Sequence, residues 1–204
     1  MNKPNGFTLI EAIIALFIVA TLSTVVTISV IQSLNSGKVA RAQSDCAAIA
    51  KNVAQLRADC GLWPTRTIAS AAESIDNLIT GTAANVPPGN DAVATGASRW
   101  GSFGVVDLIP DQLISNAPGY STTDNPRFRP GWNGPYLNSD VLDPWGNSYM
   151  INVRFLRANG PANSAQHNVF VLSAGPNGTT ETPFDDATIG ETLTLGDDIG
   201  SQVR

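Results

Sequence analysis

The sequence predicts an α+β chain in which a long N-terminal α-helix, membrane-spanning in its first half, packs on a small C-terminal antiparallel β-sheet, with long loops between. Three observations predict it. Phe7 to Ile31 is a nearly uninterrupted apolar run. From Val39 to Cys60 the apolar residues continue at alternating intervals of three and four, the period of one helix face. Near the carboxy terminus, Met150–Leu156 and Asn168–Ser173 alternate in polarity around a turn at Asn159-Gly160, the pattern of an antiparallel hairpin.

The elements follow in order. Met1 to Gly6 is a short polar leader with one basic residue, Lys3. The run 7–31 carries a single charge, Glu11, and neither Pro nor Gly; as a helix of roughly 25 residues it is about 37 Å long, enough for a bilayer core. The segment 32–61 is amphipathic. Val39, Ala42, Cys46, Ile49, Val53, Leu56 and Cys60 form its stripe, with Lys38, Arg41, Asp45, Lys51, Arg57 and Asp59 off it. Gly61 followed by Pro64 marks the helix end. Residues 62–135 read as a variable, loop-rich region. Within it, 69–80 suggests a short helix, and 105–114, with Pro110 inside, a short helix or turn rather than a strand. Residues 136–204 hold the sheet, with Trp145 and Tyr149 placed to cap it against the helix.

Composition bounds the rest. The chain has 204 residues and a net charge of −5, and only 14% of its residues are charged. One globular domain behind the helix fits that length. An acidic chain without a basic cluster argues against a nucleic-acid partner. Cys46 and Cys60 fall on one helix, roughly 21 Å apart along its axis, too far for a disulfide, and read as small buried residues.

The leader poses a chemical question. A secretory signal is cut after its apolar region, at small residues. Here the small residue, Gly6, precedes that region, so cleavage between Gly6 and Phe7 leaves the helix in the mature chain with Glu11 five residues in. An unpaired carboxylate among apolar neighbours is costly, and the new amino group of an adjacent copy is a natural partner. The string Gly6-Phe7-Thr8-Leu9-Ile10-Glu11 resembles the prepilin-peptidase site of type IV pilins and pseudopilins. The resemblance implies that residues 1–6 are a leader peptide, that Phe7 is N-methylated after cleavage, and that Glu11 contacts a neighbouring subunit during filament assembly.

A narrower resemblance follows from Trp63-Pro64, Trp132-Asn133-Gly134-Pro135-Tyr136-Leu137, Asp143-Pro144-Trp145-Gly146-Asn147, Ser173-Ala174-Gly175-Pro176-Asn177-Gly178 and Gly196-Asp197-Asp198-Ile199. In this order they look like the major pseudopilin of type II secretion systems. Residues 65–130 are longer than that family's connection. Ile28 and Ala20 stand where its membrane helix usually carries Pro and often Gly. The resemblance implies one calcium ion in the last loop, held by Asp197 and Asp198 and by oxygens near Leu172 and Ser173. Asn177 takes the place of a frequent Asp, and Asp185 and Asp186 lie in the same loop as further carboxylates.

Catalysis finds little support. The single His, His167, has no metal-spaced neighbours, and neither a Gly-x-Ser-x-Gly elbow nor a GxxxxGK[ST] loop occurs. The expectation is a non-enzymatic subunit of a helical homo-oligomer, anchored as a single pass in the inner membrane with its globular domain in the periplasm. Its partners would be prepilin peptidase, minor pseudopilins and an inner-membrane assembly platform. A type IV pilus subunit or minor pilin is the nearest alternative, and a membrane-anchored extracytoplasmic hydrolase or binding domain the more distant one.

Overall fold

The structure is a computed structural model that describes residues 6–68, 72–89, 99–123, 131–185 and 195–203, with the side chains of 24–28 excepted. Two compact units emerge, Met1–Lys38 and Val39–Arg204. One helix, α1 (Leu9–Cys60, 52 residues), supplies the first unit and opens the second. It starts at a reciprocal cap. The Thr8 backbone N–H and hydroxyl donate to Glu11 Oε2 at 2.9 and 2.8 Å, and the Glu11 N–H returns a 3.4 Å bond to Thr8 Oγ1. It stops at Gly61, whose φ of 76° an L side chain resists and whose N–H closes on the Arg57 carbonyl at 3.0 Å. The continuous helix expected from the sequence is therefore present.

The membrane-spanning first half is not. Among the described residues, no helix is long and apolar enough to cross a membrane. In the first turns of α1, Glu11 is a charge that a bilayer core disfavours unless it is paired, and Thr21 and Ser23 are polar. Thr21 and Ser23 turn their hydroxyls back on helix carbonyls, at 2.9 Å to Ile18 O and 2.7 Å to Val19 O. The single-pass, inner-membrane placement with a periplasmic domain falls with that reading.

In the second unit the helical stripe builds the core. Ala42, Cys46, Ile49, Val53 and Leu56 are buried, with Val39 and Cys60 partly so. Three side-chain bonds pin this face. Tyr149, fully buried, donates its hydroxyl to Asp45 Oδ2 at 2.9 Å; Cys46 Sγ donates to the Ile199 carbonyl at 3.6 Å; Tyr136 donates to Asp59 Oδ2 at 2.9 Å. Tyr149 thus caps the sheet against the helix as expected. Asp59, off the stripe by sequence, is nevertheless buried, because Gln55 and the Tyr136 hydroxyl supply its hydrogen bonds.

The sheet is mixed, not antiparallel. Its five strands run β2-β1-β3-β4-β5, from β1 (Asn77–Ile79), β2 (Val106–Leu108), β3 (Met150–Ile151), β4 (Phe170–Ser173) and β5 (Ile199–Gln202). The parallel pair is β1 with β2, in the register Leu78↔Asp107. The antiparallel β3–β4 pair, Met150↔Leu172, is the predicted hairpin, and β5 extends it through Leu172↔Gly200. Two strands therefore come from the stretch read as loop. Where a short helix was expected, Asn77–Ile79 is a strand with all three residues buried, the signature of an inner strand. Val106–Leu108 is a strand that leads directly into α2 (Ile109–Leu113), with Pro110 in its first turn.

Asp76 fixes this corner. Its Oδ2 accepts the Val105 N–H at 2.9 Å, and its Oδ1 accepts Arg154 at 3.2 Å and Arg157 at 3.0 Å. The same arginines explain why the strand expected over 150–156 ends at Ile151. Val153–Leu156 turns as a 3-10 helix, and the Arg154 N–H reaches the Asp76 carbonyl at 2.9 Å.

Two predictions follow from this packing. Ile49→Ala is expected to cost about 2–5 kcal/mol in urea unfolding, by transfer and cavity terms together. Gln43→Ala, on the exposed face, should stay within roughly 0.5 kcal/mol. Equal effects would mean that the stripe does not carry the core. The thiols should also differ. Burial, reinforced by the Asp45 and Asp143 carboxylates, pushes Cys46 up to about 12, while Cys60 is half-exposed and both are free. In native protein a disulfide-exchange reagent is expected to label Cys60 slowly and Cys46 only after denaturation.

Candidate functional site

Two separate places carry the functional residues. The first is the amino terminus. Gly6, Phe7 and Thr8 precede α1 without regular structure, and Phe7 is 79% exposed. The Gly6–Phe7 peptide is thus an accessible, non-helical bond immediately ahead of a helix cap. Behind it, Leu9, Ile10, Leu16, Phe17, Val19 and Leu22 all stand exposed. A single copy leaves this apolar surface in water, a condition that association relieves. The sequence reading gave Glu11 to a neighbouring chain. The structure gives it a local task as well, the Thr8 cap, which the Thr-x-x-Glu spacing encodes. Two of the three contacts of that cap use Glu11 Oε2, the third uses the Glu11 backbone N–H, and none uses Oε1.

The second place is the turn at Asp197-Asp198, between Gly196 and β5. Asp198 is buried; its Oδ2 accepts the backbone N–H groups of Glu181 at 2.8 Å and Thr182 at 2.7 Å. Asp197 Oδ2 accepts the Asn177 N–H at 2.9 Å. The other oxygen of each carboxylate, Asp197 Oδ1 and Asp198 Oδ1, is buried with no hydrogen-bond partner. Burial holds the Asp198 carboxyl above the usual carboxylate range against the pull of its Thr182 and Glu181 hydrogen bonds, and the Glu181 charge adds to the rise. Two carboxylate oxygens in adjacent residues are thus buried without partners, and carboxylate oxygen is the ligand type that hard cations take.

The remaining expected ligands divide. Asn177 is at the turn, but its Oδ1 accepts the Thr179 N–H at 2.6 Å and its Nδ2 donates to Glu181 Oε1 at 3.1 Å. Leu172 and Ser173 are buried in β4 beside β5. The Ser173 hydroxyl is committed to Asp143 Oδ2 at 2.7 Å, so only backbone oxygen is left there for a cation. Asp185 lies elsewhere: its carboxylate is 3.9 Å from Arg99, and its carbonyl faces His167 Nδ1 at 3.1 Å. Asp186 falls outside the described residues. Among the described residues, no three His, Cys, Asp or Glu side chains converge to hold a metal ion. Any cation here would rest on two carboxylates plus backbone or amide oxygen. The residue that sequence reasoning missed is Glu181. It lies outside the resembling motifs, and only its position in the fold reveals it.

Among the described residues, no nucleophile or carboxylate side chain is bonded to the His167 ring. Its ring stacks on Phe155, with centroids 4.3 Å apart, and it reads as a packed loop histidine.

Comparison with known proteins agrees with the first place. Residues 1–27 match the prokaryotic N-terminal methylation motif. No curated protein and no solved structure matches the chain. The amino terminus is therefore pilin-like, of the kind processed by a prepilin peptidase and methylated, on a chain whose remaining residues have no matched counterpart.

Proposed function

We propose that the protein is a structural subunit of a type II secretion pseudopilus, polymerising through its N-terminal helices after cleavage between Gly6 and Phe7 and methylation of Phe7. The observation that carries the proposal is the capped, apolar, exposed start of α1, within the segment that matches the methylation motif. Each large apolar side chain buried by a neighbouring copy contributes about 1.5–3 kcal/mol of driving force. Cleavage creates an ammonium one residue before the cap. Glu11 Oε1 lies outside the cap and is the group that would receive a neighbour's ammonium, so the contact sets register while the helix start stays intact. The choice of a secretion filament over a surface pilus rests on the resembling segments from Trp132 onward, and on cysteines that lie on α1 rather than near the carboxy terminus.

Calcium belongs to the same proposal. Asp197 and Asp198 fit a hard cation because each has a buried oxygen without a partner. The ion would supply charge compensation at a turn that otherwise packs carboxylates together. Its binding free energy would appear as stability of the second unit.

Intact mass and amino-terminal sequencing, from cells with and without prepilin peptidase, test the processing step. The expected product begins at Phe7 and carries one methyl group, only when the peptidase is present. Glu11→Ala is expected to be cleaved normally yet fail to enter filaments in a sedimentation assay, whereas Asp59→Asn should assemble. An uncut chain in peptidase-positive cells would remove the filament reading. Deletion of the gene should abolish release of secreted enzymes; loss of surface fibres with secretion intact would make it a surface pilin.

A further inference from the structure

The segment Thr180–Thr182 is held from one side by the fold and holds the acidic turn from the other. The Thr180 N–H donates to the Pro88 carbonyl at 2.9 Å, and Trp100, a fully buried side chain, donates its indole N–H to the Thr182 carbonyl at 2.7 Å. The strap is thereby tied to two loops that precede β2. Toward the turn, it presents the Glu181 and Thr182 N–H groups to Asp198 Oδ2. The Glu181 side chain completes the clasp. Its Oε2 accepts the Asp197 N–H at 3.1 Å, and its Oε1 accepts Asn177 Nδ2 at 3.1 Å. Gly196 makes room for it: a Cβ there would overlap the Glu181 carboxylate, and its φ of 63° is strained for any side chain. Backbone and side chain of one residue thus fix both aspartates. Their second oxygens, Asp197 Oδ1 and Asp198 Oδ1, are left buried and unpaired.

We propose that Glu181 is the positioning residue of a cation site at Asp197 and Asp198. It does not ligate the ion. It orders the turn so that the two unpaired oxygens are presented together, and Gly196 is required because it admits the Glu181 carboxylate. The inference rests on the calcium reading of this turn. Glu181 adds a third negative charge beside the buried Asp198 and the partly buried Asp197, a repulsion that weakens the metal-free turn and that a cation offsets. A residue kept only to stabilise the fold would act in the opposite sense.

Calorimetric titration of the full-length chain with calcium chloride tests this, together with melting curves in chelator. Wild type is expected to bind one equivalent, and Asp198→Asn to lose binding. Glu181→Ala should bind at least tenfold more weakly, with a metal-free melting temperature equal to or above wild type; Gly196→Ala should bind as weakly, with a lower metal-free melting temperature because its backbone is strained for a side chain. Glu181→Gln retains an acceptor for the Asp197 N–H and should stay within about threefold of wild type. If wild type binds and Glu181→Ala binds as well, the positioning role is wrong and the calcium reading stands. If Glu181→Gln loses as much as Glu181→Ala, the charge is a ligand and positioning is again wrong. A lower metal-free melting temperature with unchanged affinity would mark Glu181 as merely structural. No binding by wild type removes the calcium reading itself.

Discussion

The second unit depends on one contact, the apolar stripe of α1 against the sheet. Ala42, Cys46, Ile49, Ala50, Val53 and Leu56 are the first residues of the core in chain order, and most of the unit's later elements pack into the same cluster. Burial of such a stripe is what lets short strands persist. Three of the five strands have three residues or fewer, too few hydrogen bonds to be stable as isolated hairpins. Helix and sheet are mutually dependent, and Tyr149, Cys46 and Tyr136 set the register between them through Asp45, Ile199 and Asp59. Burial and the Asp45 acceptor push the Tyr149 hydroxyl up, so it remains a donor at any physiological pH.

The two ends of α1 solve opposite problems with the same geometry. In the second unit the apolar face is covered within the chain, and polar residues such as Arg41 and Lys51 stay outside. In the first unit the apolar residues whose side chains are described, such as Leu9, Ile13, Phe17 and Leu22, are exposed. Intrinsic propensity holds such a segment weakly, and isolated helices are marginal in water. The Thr8–Glu11 cap satisfies otherwise orphaned donors at the start and places a carboxylate at the positive end of the helix. It also keeps Glu11 near the bond whose cleavage creates a positive charge. A carboxylate that first caps its own helix need not wait unpaired for a neighbour.

Period made the helix legible in the sequence. The three-and-four spacing from Val39 to Cys60 is long enough to be unambiguous, and Gly61 ends it. Length alone was a poorer guide to the membrane. The apolar run reads as a span, yet among the described residues no helix is long and apolar enough to cross a membrane. The mixed sheet was only half legible. The β3–β4 hairpin alternates, but β1 and β2 are three-residue strands joined in parallel, and tertiary groups hold them: Asp76 with Arg154 and Arg157. No local pattern encodes a clasp between residues so far apart in sequence. The acidic turn shows the same division. Adjacent aspartates after a glycine stand out in the sequence, whereas Glu181 acquires meaning only when a strap folds over Gly196.

That strap also relates the turn to the helix. Asp198 is followed directly by Ile199, whose carbonyl accepts the Cys46 thiol from the middle of the stripe. Ile199 opposes Ser173 in the ladder, and Ser173 is bonded to Asp143 beside the β3 approach. The turn is therefore the hinge point of the last strand, one residue from a core contact, rather than a loop hung on the surface. Disorder there would release β5 from β4 and uncover Cys46, whose burial is what holds its thiol protonated. Charge at the turn and packing at the stripe are consequently one problem. Three carboxylates clustered near the start of an edge strand repel one another and weaken the strand's attachment, and two of their oxygens are buried without partners.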